Sequence, residues 1–242
     1  MSEFKAPTET IELPSRGLLY PSDNPLSKGE IEIKYMGTKE EDILTNQAFI
    51  KNGTVLDKLL QSVIVTPINY DDLLIGDKNA IMVAARVLGY GGEYSFDYNG
   101  ESHTIDLSQI DSKPLHSEIE KNKTNNFTFT LPHSKNTVTF KLLTHRDEQS
   151  IQGELDGLKK INKDSVPELS TRLKYMITSV EGKTDTASIR DFVDNYLIAR
   201  DSRALREYIR EVQPDVDLTF FPSGGSDSTN IPIGLSFFWP DI

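Results

Sequence analysis

The first residues of the chain combine an extended pattern with a helical one. Ile31, Ile33 and Tyr35 occupy every second position, which predicts a strand with these three side chains on its buried face. A helix is predicted to follow from Thr38, where Glu41 completes a capping box, to about Ile50. The chain therefore opens with a strand that leads into a helical block.

Two further helices are predicted from apolar residues at helical spacing. The first is capped by Thr54 and ends at Pro67. The second covers 79–88, with Asp77 as its N-terminal cap and Gly89 closing its C-terminal end. Because this second helix is almost continuously apolar, we expect it at the centre of the core.

Alternating residues in the middle of the chain predict two β-hairpins. The first joins 93–98 to 101–107 through Asn99-Gly100, a dipeptide that favours the type I′ turn between antiparallel strands. The second joins 126–131 to 137–142. These segments contribute antiparallel sheets to an otherwise helical chain.

Residues 145–212 are predicted to be helical, with the last helix capped by Asp201-Ser202 and stopped before Pro214. Residues 217–221 then begin a third hairpin-like unit that leads into the C-terminal tail. The apolar residues of the helices form three stripes: Leu169, Leu173, Met176, Ile177 and Val180; Ile189, Phe192, Val193, Tyr196 and Leu197; and Leu205, Tyr208, Ile209 and Val212.

Together these elements predict an α+β fold with a helical core and several antiparallel hairpins. We divide the chain into an N-terminal extended segment with helices and the first hairpin (1–110), a polar linker with the second hairpin (111–144), and a helical part with the C-terminal hairpin and aromatic tail (145–242). The linker is expected to be mobile near 113–125. The pattern leaves open whether the elements form one body or two lobes.

The charge balance argues against two classes of partner. The chain has 26 basic and 37 acidic residues, which gives a net charge of -11. Phosphate binding needs a basic face, so we expect neither nucleic acid nor a membrane as the main partner. The sequence contains no cysteine, which rules out disulfides and thiolate zinc sites.

No motif predicts an enzyme, a cofactor or a metal site. The four histidines lack the spacing of a helix-borne metal site. Gly89-Tyr-Gly-Gly92 lacks the spacing of a phosphate-binding loop. Arg86 is expected to bury its stem and to pair its head with a carboxylate. We therefore interpret the chain as an interaction protein.

The aromatic C-terminus supplies the main candidate for partner binding. Large apolar rings are costly to leave in water, so we expect the tail to pack either on a partner or on its own chain as a final core strand. Two arginines that follow Asp201 could instead bind an anion together with Arg86, which leaves a small-molecule or anion-binding regulatory module as the alternative. The candidate partner-binding residues are Phe237, Phe238, Trp239, Pro240, Arg203 and Arg206.

Four segments, in this order, resemble the tail baseplate proteins of T4-like contractile-tailed bacteriophages, the group labelled baseplate hub subunit or baseplate hub assembly catalyst. The segments are Leu13–Pro21, Tyr35–Leu44, Leu74–Tyr94 and Phe237–Asp241. The resemblance covers about 11 to 242 and is weakest across 110–165. The resemblance implies a protein without known enzymatic chemistry that helps to assemble the central hub of the baseplate, either as a hub component or as a factor that acts during assembly.

The resemblance also implies partners and a location. The partners would be phage baseplate hub or tail proteins, and the protein would act in the host cytoplasm during assembly, with retention in the virion tail baseplate left open. In the family that the chain resembles, two hairpin tips often carry cysteine pairs spaced like a zinc knuckle. The corresponding tips here, Tyr98–Glu101 and Pro222–Ser226, have no cysteine, so we expect no zinc.

Overall fold

Helices packed against small antiparallel sheets build this molecule. The structure, a computed structural model, describes residues 6–161, 166–222 and 228–238, and these residues form the predicted α+β fold. The helices are α1 (Thr38–Leu44), α2 (Gln47–Lys51), α3 (Val55–Val63), α4 (Ile75–Tyr90), α5 (Ser117–Asn122), α6 (His145–Ile161), α7 (Glu168–Met176), α8 (Thr186–Asp191) and α9 (Ala199–Val212).

The strands pair antiparallel in the order β1-β2, β3-β4, β5-β6-β7 and β8-β9. They are β1 (Thr8–Glu12), β2 (Glu30–Lys34), β3 (Glu93–Tyr98), β4 (Glu101–Asp106), β5 (Phe127–Thr130), β6 (Thr137–Phe140), β7 (Ile177–Val180), β8 (Thr219–Phe220) and β9 (Thr229–Asn230). Ile31 and Ile33 of β2 are buried, as predicted. The buried apolar residues form a cluster drawn from all three predicted segments, and the division into those segments stays a prediction.

The helical block after β2 is divided differently from the prediction. Instead of one helix to Ile50, the chain forms α1 and α2, because the Asn46 side chain accepts the backbone N–H groups of Ala48 and Phe49 and so starts a new helix. The capping box is also displaced by one residue. Glu40, and not Glu41, accepts the backbone N–H of the residue before the helix.

The central helix α4 begins earlier and ends later than predicted. Asp77 is not its cap: it lies in the first turn, is buried and accepts hydrogen bonds from the N-terminal segment. The helix closes at Gly91, with φ +86°, rather than at Gly89. Gly76 is needed because a Cβ there would lie 1.8 Å from the carbonyl oxygen of Pro214.

Both central hairpins are confirmed. Asn99 and Gly100 have φ angles of 52° and 82°, the left-handed values that a type I′ turn requires. The second hairpin gains a third strand, because β7 pairs with β6. The predicted helical stripe through Ile177 and Val180 is therefore wrong: α7 ends at Met176 and the chain continues as a strand, which suits its β-branched residues.

The C-terminal helices differ from the prediction in two places. A π-helical turn over Phe192–Tyr196 follows α8, and it leaves Tyr196 62% exposed instead of on a buried stripe. Asp201 is not the cap of α9, which begins two residues earlier. The Asp201 carboxylate instead accepts hydrogen bonds from the backbone N–H groups of His133 and Ser134. These bonds connect α9 to the turn between β5 and β6.

The linker and the tail also show local structure. The predicted polar linker contains α5, whose Ile119 is fully buried. A third hairpin-like unit is present as β8 and β9, each two residues long, but its second strand precedes the aromatic tail, which was predicted to form that arm. The tail after β9 forms a 3-10 turn, Leu235–Phe238, rather than a final core strand. Within the described ranges, no helix is long and apolar enough to cross a membrane.

Candidate interaction site

The described part of the aromatic tail packs on its own chain. Phe237 and Phe238 are fully buried, and their rings meet edge to face with centroids 5.5 Å apart. The Phe237 ring also meets the Tyr94 ring of β3, with centroids 4.9 Å apart. In this conformation, neither phenylalanine offers surface to a partner. The other two tail candidates, Trp239 and Pro240, lie outside the described residues.

Arg86 fastens this tail to the end of α4. Its Nε donates to the carbonyl oxygen of Phe237 at 2.8 Å, and its other two nitrogens donate to the carbonyl oxygens of Gly91 at 2.8 Å and Glu93 at 3.0 Å. The predicted carboxylate partner is therefore wrong, because backbone carbonyls that would otherwise be unpaired take its place. One guanidinium holds together the end of α4, the start of β3 and the tail.

The electrostatics around Arg86 are those of a buried cation among aromatic rings. Its guanidinium carbon lies 5.4 Å from the ring centroid of Tyr90 and 6.0 Å from that of Tyr94. Burial lowers the pKa of Arg86, although an arginine stays protonated in proteins. Burial also raises the pKa of Tyr90, and Glu41 adds to this effect. The Arg86 side chain therefore keeps its positive charge and uses it to hold the surrounding backbone.

An open groove of 930 Å³ lies beside this tail and is lined by residues of α2, the end of α4, β3 and the chain segment 232–236. We call it the aromatic groove. Two carboxylates, Glu93 and Asp97, also line it. Its main apolar lining residues are Ile50, Tyr90, Tyr94, Phe96, Pro232 and Leu235.

The remaining candidate residues lie elsewhere, on α9. Arg203 forms an ion pair with Glu207 at 2.8 Å, and 77% of its side chain is exposed. Arg206 donates from Nε to the carbonyl oxygen of Ser202 at 3.3 Å. Neither residue lines the aromatic groove, so that groove does not unite them with Arg86 in an anion site.

The structure reveals two buried polar clusters that the sequence did not. Asp77 accepts from the Ser15 hydroxyl at 2.7 Å, from the Ser15 backbone N–H at 2.9 Å and from the Tyr20 hydroxyl at 2.6 Å. Burial raises the pKa of Asp77. Because its oxygens are engaged by groups of the same chain, Asp77 fastens the N-terminal segment to α4 instead of facing a ligand.

The second cluster surrounds His145 at the start of α6. Lys78 Nζ lies 2.6 Å from Asp57 Oδ1 and 3.3 Å from His145 Nδ1, and the Tyr70 hydroxyl donates to Asp57 at 2.9 Å. Burial lowers the pKa of His145, and Lys78 adds to this effect. His145 Nε2 lies 3.0 Å from the side-chain nitrogen of Gln149, and because an amide nitrogen only donates, Nε2 is the acceptor in that contact. These contacts join α3, α4 and α6.

No arrangement for metal binding is present in the part of the chain that the structure describes, where no group of three His, Asp or Glu side chains is placed to hold an ion. The aromatic groove combines open space with aromatic side chains and with carboxylates that form no ion pair with a described residue. Comparisons of the chain with protein-family models, with curated proteins and with solved structures found no match.

Proposed function

We propose that this protein is a non-enzymatic phage tail protein that acts in baseplate hub assembly, as an assembly factor or as a hub component, through protein–protein contacts. The observation that carries the proposal is the aromatic groove, whose walls come from parts of the chain that are far apart in the sequence. The resemblance of four ordered segments to T4-like baseplate hub proteins supplies the biological setting. Its partners would be other hub or tail proteins.

The groove suits a protein partner because its contact groups are already held in place. Aromatic residues are enriched where partners bind, since they bury a large area with little loss of side-chain freedom. Tyr90 and Tyr94 line the groove and lie against Arg86, whose hydrogen bonds fix the surrounding backbone. A partner would meet a surface that needs little ordering before it binds.

The anion-binding alternative gains no support from the positions of its arginines. All three nitrogens of the Arg86 side chain donate to backbone carbonyl oxygens. Arg203 is engaged by Glu207, and both lie on a solvent-facing side of α9. A ligand anion that used the same donor groups would have to displace these contacts.

A capture experiment tests the proposed function. Tagged full-length protein would be purified from phage-infected cells, and both the captured proteins and purified virions would be analysed by mass spectrometry. We expect baseplate hub proteins to be enriched over a tag-only control. Capture without the protein in virions would indicate an assembly factor, and its presence in virions would indicate a hub component. Absence of tail proteins from the capture, and of this protein from virions, would refute the proposal.

A further inference from the structure

We infer that the outer edge of β3 receives an extended segment of a partner protein as an added strand, and that apolar residues alternate with Lys or Arg in this segment. The inference rests on the proposed function, because it requires a protein partner. It names the part of the aromatic groove that binds and the chemistry of what it binds.

Alternate residues of β3 direct their backbone polar groups away from β4. The backbone N–H of Leu107 donates to the carbonyl oxygen of Gly92 at 2.7 Å, and Tyr94 lies opposite Ile105 in the same register. Hydrogen-bonded residues alternate along an antiparallel pair. The even-numbered residues of 92–98 therefore bond to β4, and the odd-numbered ones face outwards.

Beyond Glu93, the outward backbone groups of β3 accept or donate no hydrogen bond to another described part of the chain. The carbonyl oxygen of Glu93 accepts from Arg86 at 3.0 Å, which confirms its outward direction. Farther along, Ser95 and Asp97 are exposed, and their backbone N–H and C=O groups have no partner outside the hairpin among the described residues. These groups can form the main-chain hydrogen bonds that hold an added strand.

The two faces of β3 specify the side chains of the added strand. Successive side chains point to opposite faces, so Tyr94 and Phe96 lie on the buried face and Ser95 and Asp97 on the exposed one. Residues of the added strand that lie beside the aromatic rings would be apolar and could also meet Leu235.

Residues of the added strand on the other face would meet uncompensated negative charge. Neither Glu93 nor Asp97 forms an ion pair with any described residue, and Glu101 across the turn has none either. The whole chain carries a net charge of -11. Lys or Arg at alternate positions of the partner would complement these carboxylates and speed association.

The competing explanation is that these carboxylates only protect an exposed edge. Charged side chains on edge strands discourage pairing with other chains. Under that explanation, a basic peptide would bind this protein through charge alone. Its affinity would then depend neither on which carboxylates of the protein are present nor on whether the peptide backbone can donate hydrogen bonds. The two explanations therefore differ in their dependence on position and on backbone hydrogen bonding.

The test measures the fluorescence anisotropy of a labelled eight-residue peptide of alternating Val and Lys, titrated with full-length protein. Two comparison peptides are used: one alternates Val and Glu, and one keeps every Lys but replaces two Val by Pro, which removes backbone donors. The protein variants are Glu93→Gln/Asp97→Asn and a control, Asp42→Asn/Glu120→Gln, which neutralises two exposed carboxylates outside the groove.

Of the three peptides, we expect only the Val–Lys peptide to bind saturably. Its affinity should fall roughly three- to tenfold in Glu93→Gln/Asp97→Asn and stay unchanged in the control variant. The inference is overturned if both double variants weaken binding equally, if the Pro-containing peptide binds as well, or if the Val–Lys peptide does not bind.

The capture experiment separates this inference from the proposed function. If Glu93→Gln/Asp97→Asn captures hub proteins as well as the wild type does, the edge of β3 is not the docking site and the proposed function stands. If the wild type captures no tail proteins and is absent from virions but binds the peptide as expected, the proposed function fails and the edge remains a strand-binding site.

Discussion

Single buried charges show how this acidic chain places its ionisable groups. Glu40 is 2% exposed, and its carboxylate accepts from Lys34 at 2.8 Å, from Ser62 at 2.6 Å and from the backbone N–H of Gly37 at 3.0 Å. Burial opposes ionisation, but these hydrogen bonds outweigh it and lower the pKa of Glu40 from 4.5 to about 2. The ionised form therefore stabilises the fold.

Glu40→Gln should make the free energy of unfolding less dependent on pH in the acid range. Because the folded-state pKa lies below the unfolded-state value, ionised Glu40 stabilises fully above about pH 4.5 and loses this effect as the pH falls towards about 2. We expect the variant to lose about 1–3 kcal/mol of unfolding free energy near neutral pH. Urea unfolding at several pH values should show this deficit shrinking below about pH 4.5.

The Glu40 prediction has a matched control in Glu41→Gln, which changes the neighbouring, exposed carboxylate on the same helix. A deficit that stayed constant from neutral to acid pH would mean that Glu40 does not stabilise the fold through its charge.

Tyr20→Phe should loosen the N-terminal segment. The Tyr20 hydroxyl donates to Asp77 at 2.6 Å and accepts from the backbone N–H of Leu74 at 3.0 Å, so its removal leaves two buried groups with fewer partners. We expect a loss of about 1–3 kcal/mol in unfolding free energy. Tyr35→Phe is the control, since no described residue hydrogen-bonds its hydroxyl. Equal stability of the two variants would contradict this role.

At the scale of elements, local signals were predictable and remote pairing was not. Asn99 and Gly100 are residue types that adopt the positive φ angles of a type I′ turn, so the β3–β4 hairpin could be predicted from the sequence. The strand β7 was missed because its partner β6 lies about forty residues away. The early start of α4 was missed because Asp77 bonds to Ser15 and Tyr20 and does not cap a helix.

Arg86 is the element-scale contact that fastens the tail. Arg86→Lys keeps the charge but cannot donate in three directions from a planar group. We expect the backbone amides over Leu235–Phe238 to exchange hydrogen roughly tenfold faster or more, because their segment loses its bond to α4. Hydrogen exchange with mass spectrometry would measure this, with Arg203→Lys as the control. Unchanged exchange in both variants would show that aromatic packing alone holds the tail.

At the scale of the whole molecule, the candidate site exists only once distant parts of the chain meet. The aromatic groove takes residues from α2, from the end of α4 and β3, and from 232–236. The sequence did indicate the aromatic tail as a binding feature. The sequence could not show that Phe237 and Phe238 are buried in the core of their own chain, because burial depends on tertiary packing. The proposed binding surface consequently moves from the tail to the groove beside it.

The most direct test of the proposed function removes the protein during infection. A phage with a nonsense mutation in this gene would be grown with and without a plasmid copy of the wild-type gene, and lysates would be examined by electron microscopy. The proposed function predicts heads without completed baseplates in the mutant lysate and tailed virions on complementation. Normal tailed, infectious virions in the absence of the protein would contradict it.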